Sequence, residues 1–167
     1  MSDVLLDAFR HKTWGLKTLI AACEGLSSED LNRPDTGLVG SILATLNHLV
    51  LSDAGYVASL GGGRASWAKA GGETDDLGEL AARVEESSGR WEQLITDGLD
   101  GERLVFLDAG AYETHASVVV MQALHHVAAH GEQVRAGLKM LGLKPPDVQP
   151  WALADATGRS RWLRPEA

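Results

Sequence analysis

The sequence predicts an all-α protein built as a four-helix bundle. Three observations lead to this prediction: four long stretches with apolar residues at helical spacing, clear stop signals after two of them, and no sustained strand-like alternation. The chain has 167 residues, of which 44% are hydrophobic and 23% charged. Because this length and composition suit one buried core, we expect a single domain over residues 1–167.

The first two predicted helices lie in the amino-terminal part of the chain. The first covers about Asp3 to Glu24, and the turn-forming segments SSED and NRPDTG follow it. The second covers roughly Val39 to Leu60 and stops at the run Gly61, Gly62 and Gly63. This second helix is apolar almost all round, so it must be covered on more than one face.

The last two predicted helices are marked by capping and stop residues. The third begins after Thr74, Asp75 and Asp76, whose side chains offer capping oxygens and favourable charge. The fourth covers about Ala116 to Leu141 and ends before Gly142 and two prolines.

The segments around the fourth helix are not helical in pattern. Residues 104–107 are too short for a helix and rich in strand formers, and residues 108–110 have turn chemistry, so a short hairpin or extended crossover is predicted. After the fourth helix comes a tail with Trp151 and Trp162, which we expect to pack back on the bundle.

Composition narrows the functional classes. A net charge of -8 repels nucleic-acid phosphates, and no apolar run is long enough to span a bilayer. The amino terminus has acidic residues where a signal peptide has basic ones. Cys23 is the single cysteine, which excludes an internal disulfide and fits a reducing compartment. We therefore expect a cytoplasmic protein that binds neither nucleic acid nor membrane.

A histidine pair on the fourth predicted helix is the first candidate site. His126 and His130 are four residues apart, so their imidazoles share one face and can reach a single ion. An H-x-x-x-H pair alone is weak evidence for a metal site, because two core or boundary histidines that hydrogen-bond to their neighbours produce the same spacing more often. Gln133 lies on the same side and could support a ligand from outside the coordination shell. His125 points to the flank and is not expected to be a ligand.

A third histidine, His48, lies on the second predicted helix. Its neighbours on that helix are small residues: Ser41, Ala44, Thr45, Ser52 and Gly55. Three neutral imidazoles with no carboxylate at matching spacing leave a coordination position open for water or substrate. The sequence thus predicts an open, catalytic type of divalent-metal site at His48, His126 and His130, and it identifies no catalytic or cofactor-binding side chain beyond them.

Four segments of the chain carry a family resemblance: FRHKTW (9–14), GSILATLNHLVLSD (40–53), LHHVAAHGEQV (124–134) and PWALADATGR (150–159). In this order they resemble the DinB family, also called the DinB/YfiT-like or S-transferase-like metalloenzyme superfamily. The resemblance implies a four-helix bundle. It also implies a metal triad with one histidine from the second helix and an H-x-x-x-H pair from the fourth, which by motif are His48, His126 and His130.

The chain departs from the family pattern at one position of interest. The family often has arginine directly after the last histidine, where this chain has Gly131, so a role for that arginine is unsupported here. Other polar residues receive structural interpretations. His11 is expected to cap or to pack against Trp14, and Asp53 is expected at a solvated helix position. His115 is expected to be a loop residue, with a place at the site mouth as the alternative.

The resemblance implies an activity. The leading hypothesis is a thiol-cofactor-dependent S-transferase or isomerase that acts on a small electrophile, with a low-molecular-weight thiol such as bacillithiol or mycothiol. A divalent ion makes this reasonable because it lowers the pKa of a bound thiol or water. Two alternatives stay open: a metal-dependent hydrolase, and a non-catalytic metal-binding stress or dimerisation module.

The metal and the assembly state are predicted only in outline. Imidazole ligands suit several divalent ions, of which zinc and nickel are the preferred pair. The apolar character of the second helix on two sides predicts a homodimer, because a bundle face would otherwise expose an apolar patch. A small-molecule substrate is the other expected partner.

Overall fold

The computed structural model describes residues 2–35, 37–161 and 163. The described chain is mainly helical, as predicted, with a single small antiparallel sheet in the described ranges. Its elements are α1 (Ser2–Ala22), α2 (Ser28–Asn32), α3 (Ile42–Ser59), α4 (Leu77–Thr96), β1 (Leu104–Leu107), β2 (Tyr112–His115), α5 (Ala116–Met140) and α6 (Pro150–Ala156). The four long helices are the four predicted ones, whereas the short helices α2 and α6 were not predicted.

The four long helices bury a common apolar core. α1 packs against α4 and α5, and α3 packs against the same two helices. Each long helix contributes fully buried leucines or other apolar side chains, among them Leu19, Leu46, Leu80 and Leu138. Of the helices that the structure describes, none has the length and apolar character needed to cross a membrane.

Capping residues fix where α3 and α4 begin. Ser41 has an extended backbone, and its side chain accepts a hydrogen bond of 3.1 Å from the Ala44 amide. α3 therefore begins three residues later than the sequence predicts. Asp76 caps α4 as expected, with Oδ1 accepting from the amides of Gly78 and Glu79 at 2.8 and 3.1 Å.

The predicted hairpin is present between α4 and α5. β1 and β2 pair antiparallel, from Leu104 opposite His115 to Leu107 opposite Tyr112. Arg103 connects the hairpin to two long helices: its carbonyl accepts from the first amide of α5, and its Nη2 donates to the Leu60 carbonyl at 2.7 Å. These bonds set the start of α5, and with it the positions of the α5 histidines.

α3 and α5 approach closely near one end of their contact. A Cβ atom added to Gly137 would lie 3.1 Å from Cγ1 of Ile42, which is tighter than ordinary packing. At the other end, the rings of Tyr56 and His126 are in contact. Because low numbers on α3 face high numbers on α5, the two helices run antiparallel.

The tail packs back on α1, as predicted, although Trp151 is mostly exposed. His11 Nε2 lies 2.8 Å from the Val148 carbonyl, and Arg159 pairs with Asp7 at 2.7 Å. Trp151, on α6, is 74% exposed. Trp162 lies outside the described residues.

A buried ion pair joins α1 to α3 and corrects the prediction for Asp53. The Lys12 ammonium donates to Asp53 Oδ1 at 2.5 Å, and Trp91 Nε1 donates to the same oxygen at 3.0 Å. The Lys12 nitrogen also lies 5.3 and 5.4 Å from the ring centroids of Phe9 and Trp91. Asp53 is only 5% exposed, so the expectation of a solvated position was wrong.

Candidate metal centre

The structure brings together the three histidines that the sequence singled out. His48 comes from α3, and His126 and His130 come from successive turns of α5. One ring nitrogen from each lies within 4.8 Å of the others, and the Nε2 atoms of His48 and His126 are 2.9 Å apart. The three side chains form a group that could hold a metal ion.

The rings converge rather than stack. Their centroids are 4.5 to 4.9 Å apart, and the interplanar angles of 61°, 72° and 80° make every pair edge-to-face. In tetrahedral zinc sites with Zn–N near 2.0–2.1 Å, the ligating nitrogens are roughly 3.3 Å apart. The ring nitrogens of the histidine cluster lie within 4.8 Å of one another, so their spacing is of the order that such an ion requires.

The electrostatics of the cluster favour neutral imidazoles. Burial is the main cause that lowers the pKa of His126 to about 4, and the neighbouring His130, His48 and His125 contribute to the same shift. Burial and the nearby His130 also lower the pKa of His48. Among the described residues no carboxylate joins this group. Neutral rings present lone pairs at neutral pH, which is the form that binds a metal.

His130 has a hydrogen-bond partner outside the cluster. Its Nδ1 lies 2.6 Å from Oε1 of Gln133, one turn further along α5. Since an amide oxygen can only accept, Nδ1 carries the proton and Nε2 keeps its lone pair. Gln133 thus fixes the tautomer of His130 that a metal needs.

His126 differs from His130 in this respect. Its Nδ1 is buried and has no hydrogen-bond partner in the described part of the chain. The ring of Tyr56 lies beside it, with centroids 5.9 Å apart and planes at 88°. Sequence reasoning did not single out Tyr56, although its place eight residues after His48 on α3 could have indicated it.

The cluster lies at the edge of the α3–α5 contact rather than in the core. All three histidines are half-buried. The α3 residues Ala44 and Gly55, one turn before and two turns after His48, are small and exposed. An ion held here would be reachable from solvent by a small molecule.

The remaining histidines lie outside the cluster. His125 is exposed, as expected for a flanking position. The His11 ring lies 6.1 Å from that of Trp14, which agrees with the structural interpretation. His115 ends β2, and its Nδ1 donates to the Glu102 carbonyl at 3.0 Å.

Gly131, where the family often has arginine, is buried on α5 against α1. A Cβ atom there would lie 3.2 Å from Cδ1 of Leu19. A larger side chain at this position would require Leu19 to move, so the close α1–α5 contact explains why glycine suits this chain.

A family model matches this chain over nearly its whole length. The family model described as the DinB family matches residues 1–162, nearly the whole chain. No curated protein matches it. The matched range includes both histidine-bearing helices and all three histidines of the cluster.

Proposed function

This chain belongs to the DinB family, and we propose that it binds a divalent metal and acts as a thiol-cofactor-dependent S-transferase or isomerase on a small electrophile. The observation that supports the proposal best is the convergence of three imidazoles on one half-exposed point, where the pKa values of His48 and His126 are lowered. The proposal includes a four-helix bundle of the DinB/YfiT-like type, formed as one domain over residues 1–167.

Three residues would hold the metal, and a fourth would support them. His48, His126 and His130 are the ligands, and Gln133 orients His130 through its Nδ1. Zinc and nickel are the preferred ions because both accept imidazole nitrogen. When bound, such an ion would lower the pKa of a thiol or water in the open coordination position and so supply a nucleophile near neutral pH.

The thiol would come from a low-molecular-weight cofactor such as bacillithiol. The chain's own thiol, Cys23, is fully buried in the core. Burial raises the pKa of Cys23 to about 11, so it is not a thiolate at neutral pH. The small residues beside His48 leave room for both cofactor and electrophile at the surface.

The test begins with metal content. Untagged protein purified without chelator should contain close to one zinc or nickel per chain by elemental analysis. Protein that lacks metal and also refuses added zinc and nickel would rule out every enzymatic proposal for this site.

The second step measures transfer. The metal-loaded protein should conjugate a small electrophile such as monobromobimane to bacillithiol faster than the uncatalysed reaction. His126→Ala should abolish the acceleration, whereas His125→Ala, the exposed neighbour on the same helix, should retain it. Inactivity with bacillithiol, mycothiol and glutathione alike would contradict the transferase proposal.

Metal-dependent hydrolysis is the alternative activity. It is supported by the same three-histidine cluster, because an ion held by imidazoles activates a bound water as well as a thiol. It predicts ester or amide turnover without added thiol, lost in His130→Ala. A non-catalytic metal-binding module would instead show a changed melting temperature in the histidine variants and no turnover.

The assembly proposal is a cytoplasmic homodimer. α3 is apolar almost all round, and its Leu51 side chain is only half-buried, so a second copy could cover it. Light scattering at micromolar concentration should give twice the mass of the 17.8 kDa chain. A monomer would contradict it without affecting the metal site.

A further inference from the structure

We propose that Tyr56 is a positioning residue for the metal centre: the face of its ring accepts the Nδ1–H of His126. This N–H···π contact would hold the His126 imidazole with Nε2 directed at His48 and His130. The inference rests on the proposed metal site and adds to it a residue from α3 that orients a ligand on α5.

The first support is the unpartnered nitrogen of His126. When Nε2 binds a metal, the proton of the neutral ring lies on Nδ1, and that atom is buried without a hydrogen-bond partner in the described ranges. Metal-ligating histidines almost always donate their second ring N–H to some acceptor. Since no oxygen or nitrogen of the described residues accepts from Nδ1, an aromatic face is the acceptor that we infer.

The second support is the geometry of Tyr56. Its ring stands at 88° to that of His126 with centroids 5.9 Å apart, the arrangement in which the positive edge of one ring meets the negative face of the other. An aromatic face is a recognised weak acceptor for N–H donors. His126 Nε2 lies 2.9 Å from His48 Nε2, so Tyr56 does not take the place of that contact, and the unpartnered Nδ1 remains available to the Tyr56 ring.

The helix geometry explains why His126 and His130 have different supports. Tyr56 lies about two turns beyond His48 on α3, and α3 runs antiparallel to α5, so its ring reaches the earlier α5 histidine. His130 is supported instead from its own helix, by Gln133. Tyr56 also packs against an apolar cluster that includes Ala123, which holds the ring in place.

Two substitutions separate the ring from its hydroxyl. Tyr56→Phe keeps the aromatic face, and Tyr56→Leu removes it while keeping an apolar side chain. Zinc affinity is measured by competition with a chromophoric chelator. We expect Tyr56→Phe to stay within about twofold of the parent protein and Tyr56→Leu to lose about tenfold, the low end for outer-shell changes. Tyr112→Leu, at the exposed hairpin, is the matched control and should leave zinc affinity unchanged.

A spectroscopic measurement tests the contact itself. In the cobalt-substituted protein, each ligating ring N–H gives a shifted exchangeable proton signal. The His126 signal, assigned by its loss in His126→Gln, should exchange slowly with deuterated water in the parent protein and in Tyr56→Phe. In Tyr56→Leu it should shift and exchange faster, while the His130 signal stays in place. Tyr56→Met is measured alongside, so that a folding defect in one variant does not decide the result.

The outcomes are distinguishable. A parent protein that binds neither zinc nor cobalt would overturn this inference together with the proposed function. A parent protein that binds both ions, with affinity and His126 signal unchanged in folded Tyr56→Leu and Tyr56→Met, would overturn this inference alone. Equal losses in Tyr56→Phe and Tyr56→Leu would also overturn it, because the hydroxyl rather than the ring face would then be responsible.

Discussion

Two polar clusters meet the same helix, and they are built on opposite principles. In the first, Lys12 and Asp53 pair inside the core at 2.5 Å, with side chains only 5% and 6% exposed. In the second, His48 joins the two α5 histidines at a half-exposed edge, with no carboxylate in the group. Asp53 and His48 are only five residues apart on α3. The Asp53 carboxylate is neutralised by Lys12, whereas the His48 imidazole keeps a nitrogen that could bind an ion.

The difference suits the ion pair to stabilising the fold and the histidine cluster to binding a ligand. The ion pair has its opposite charge and an indole donor within the chain, so it is complete without any addition. The histidine cluster consists of three groups of one kind, and the buried Nδ1 of His126 has no hydrogen-bond partner among the described residues. The cluster as described contains no opposite charge, and its three converging ring nitrogens could hold an ion from outside the chain.

The largest expected effect is in the ion pair. Asp53→Asn leaves the Lys12 charge buried without a counter-ion, so it should lower the free energy of unfolding by about 3–5 kcal/mol. Urea denaturation measures it. The double variant Lys12→Met/Asp53→Leu removes both charges and should recover most of that loss.

The control for the ion pair is Lys17–Glu85, an exposed salt bridge of 2.7 Å between α1 and α4. Like the buried pair, it joins a lysine of α1 to a carboxylate on another long helix. Glu85→Gln should cost less than about 1 kcal/mol, because solvent screens the pair. If Asp53→Asn costs no more than Glu85→Gln, the ion pair does not stabilise the core as described.

The next effect is on metal affinity. His130→Ala removes one of three ligands and should weaken zinc binding by more than the roughly 100-fold upper range for outer-shell changes. Because His130 is half-buried, unfolding of the metal-free protein should change far less than in Asp53→Asn. Isothermal titration with zinc measures the affinity, and His125→Ala is the matched control. Equal affinities in the two variants would exclude His130 as a ligand.

A smaller effect on zinc affinity is expected from Gln133, which contacts a ligand but not the metal. Gln133→Leu removes the acceptor that lies 2.6 Å from His130 Nδ1, so zinc affinity should fall about 10–100-fold. Gln122→Leu, an exposed glutamine on the same helix, should leave zinc affinity unchanged. A result in which both glutamine variants behave alike would show that Gln133 does not orient the ligand.

The smallest effect is a pH dependence of the metal-free protein. His126 has a pKa of about 4 when folded and about 6.5 when unfolded, so the unfolded chain takes up a proton first as the pH falls. The contribution of His126 to stability is therefore fully present above pH 6.5 and is lost as the pH falls toward 4. Urea denaturation with chelator near pH 7 and near pH 5 measures it. His126→Gln should lessen the loss, and an unchanged pH dependence in that variant would contradict the assignment.

The histidine cluster and the long helices could be predicted because their signals are local. Apolar spacing placed the fourth predicted helix at Ala116 to Leu141, and α5 spans Ala116–Met140. The four-residue spacing of His126 and His130 puts them on one face of any helix, whatever that helix packs against. That His48 lies beside this pair depends on how the helices pack, and the family resemblance implied that packing.

The ion pair could not be predicted because its partners are distant in sequence. Asp53 on an apolar helix has the same local pattern whether it faces water or a buried cation, and Lys12 is 41 residues away. The contact between Tyr56 and His126 could not be predicted for a related reason, because it depends on how α3 packs against α5. A seven-residue helix such as α6 offers too few turns for a periodic pattern.

Gly137 acts as a spacer whose absent side chain sets the separation between two ligand-bearing helices. A methyl group there would lie 3.1 to 3.3 Å from side-chain carbons of Ile42 and Leu38, which would have to give way by a few tenths of an ångström. Gly137 lies two turns beyond His130 on α5. The close approach of α3 and α5 near the histidine cluster therefore depends in part on a side chain that is absent.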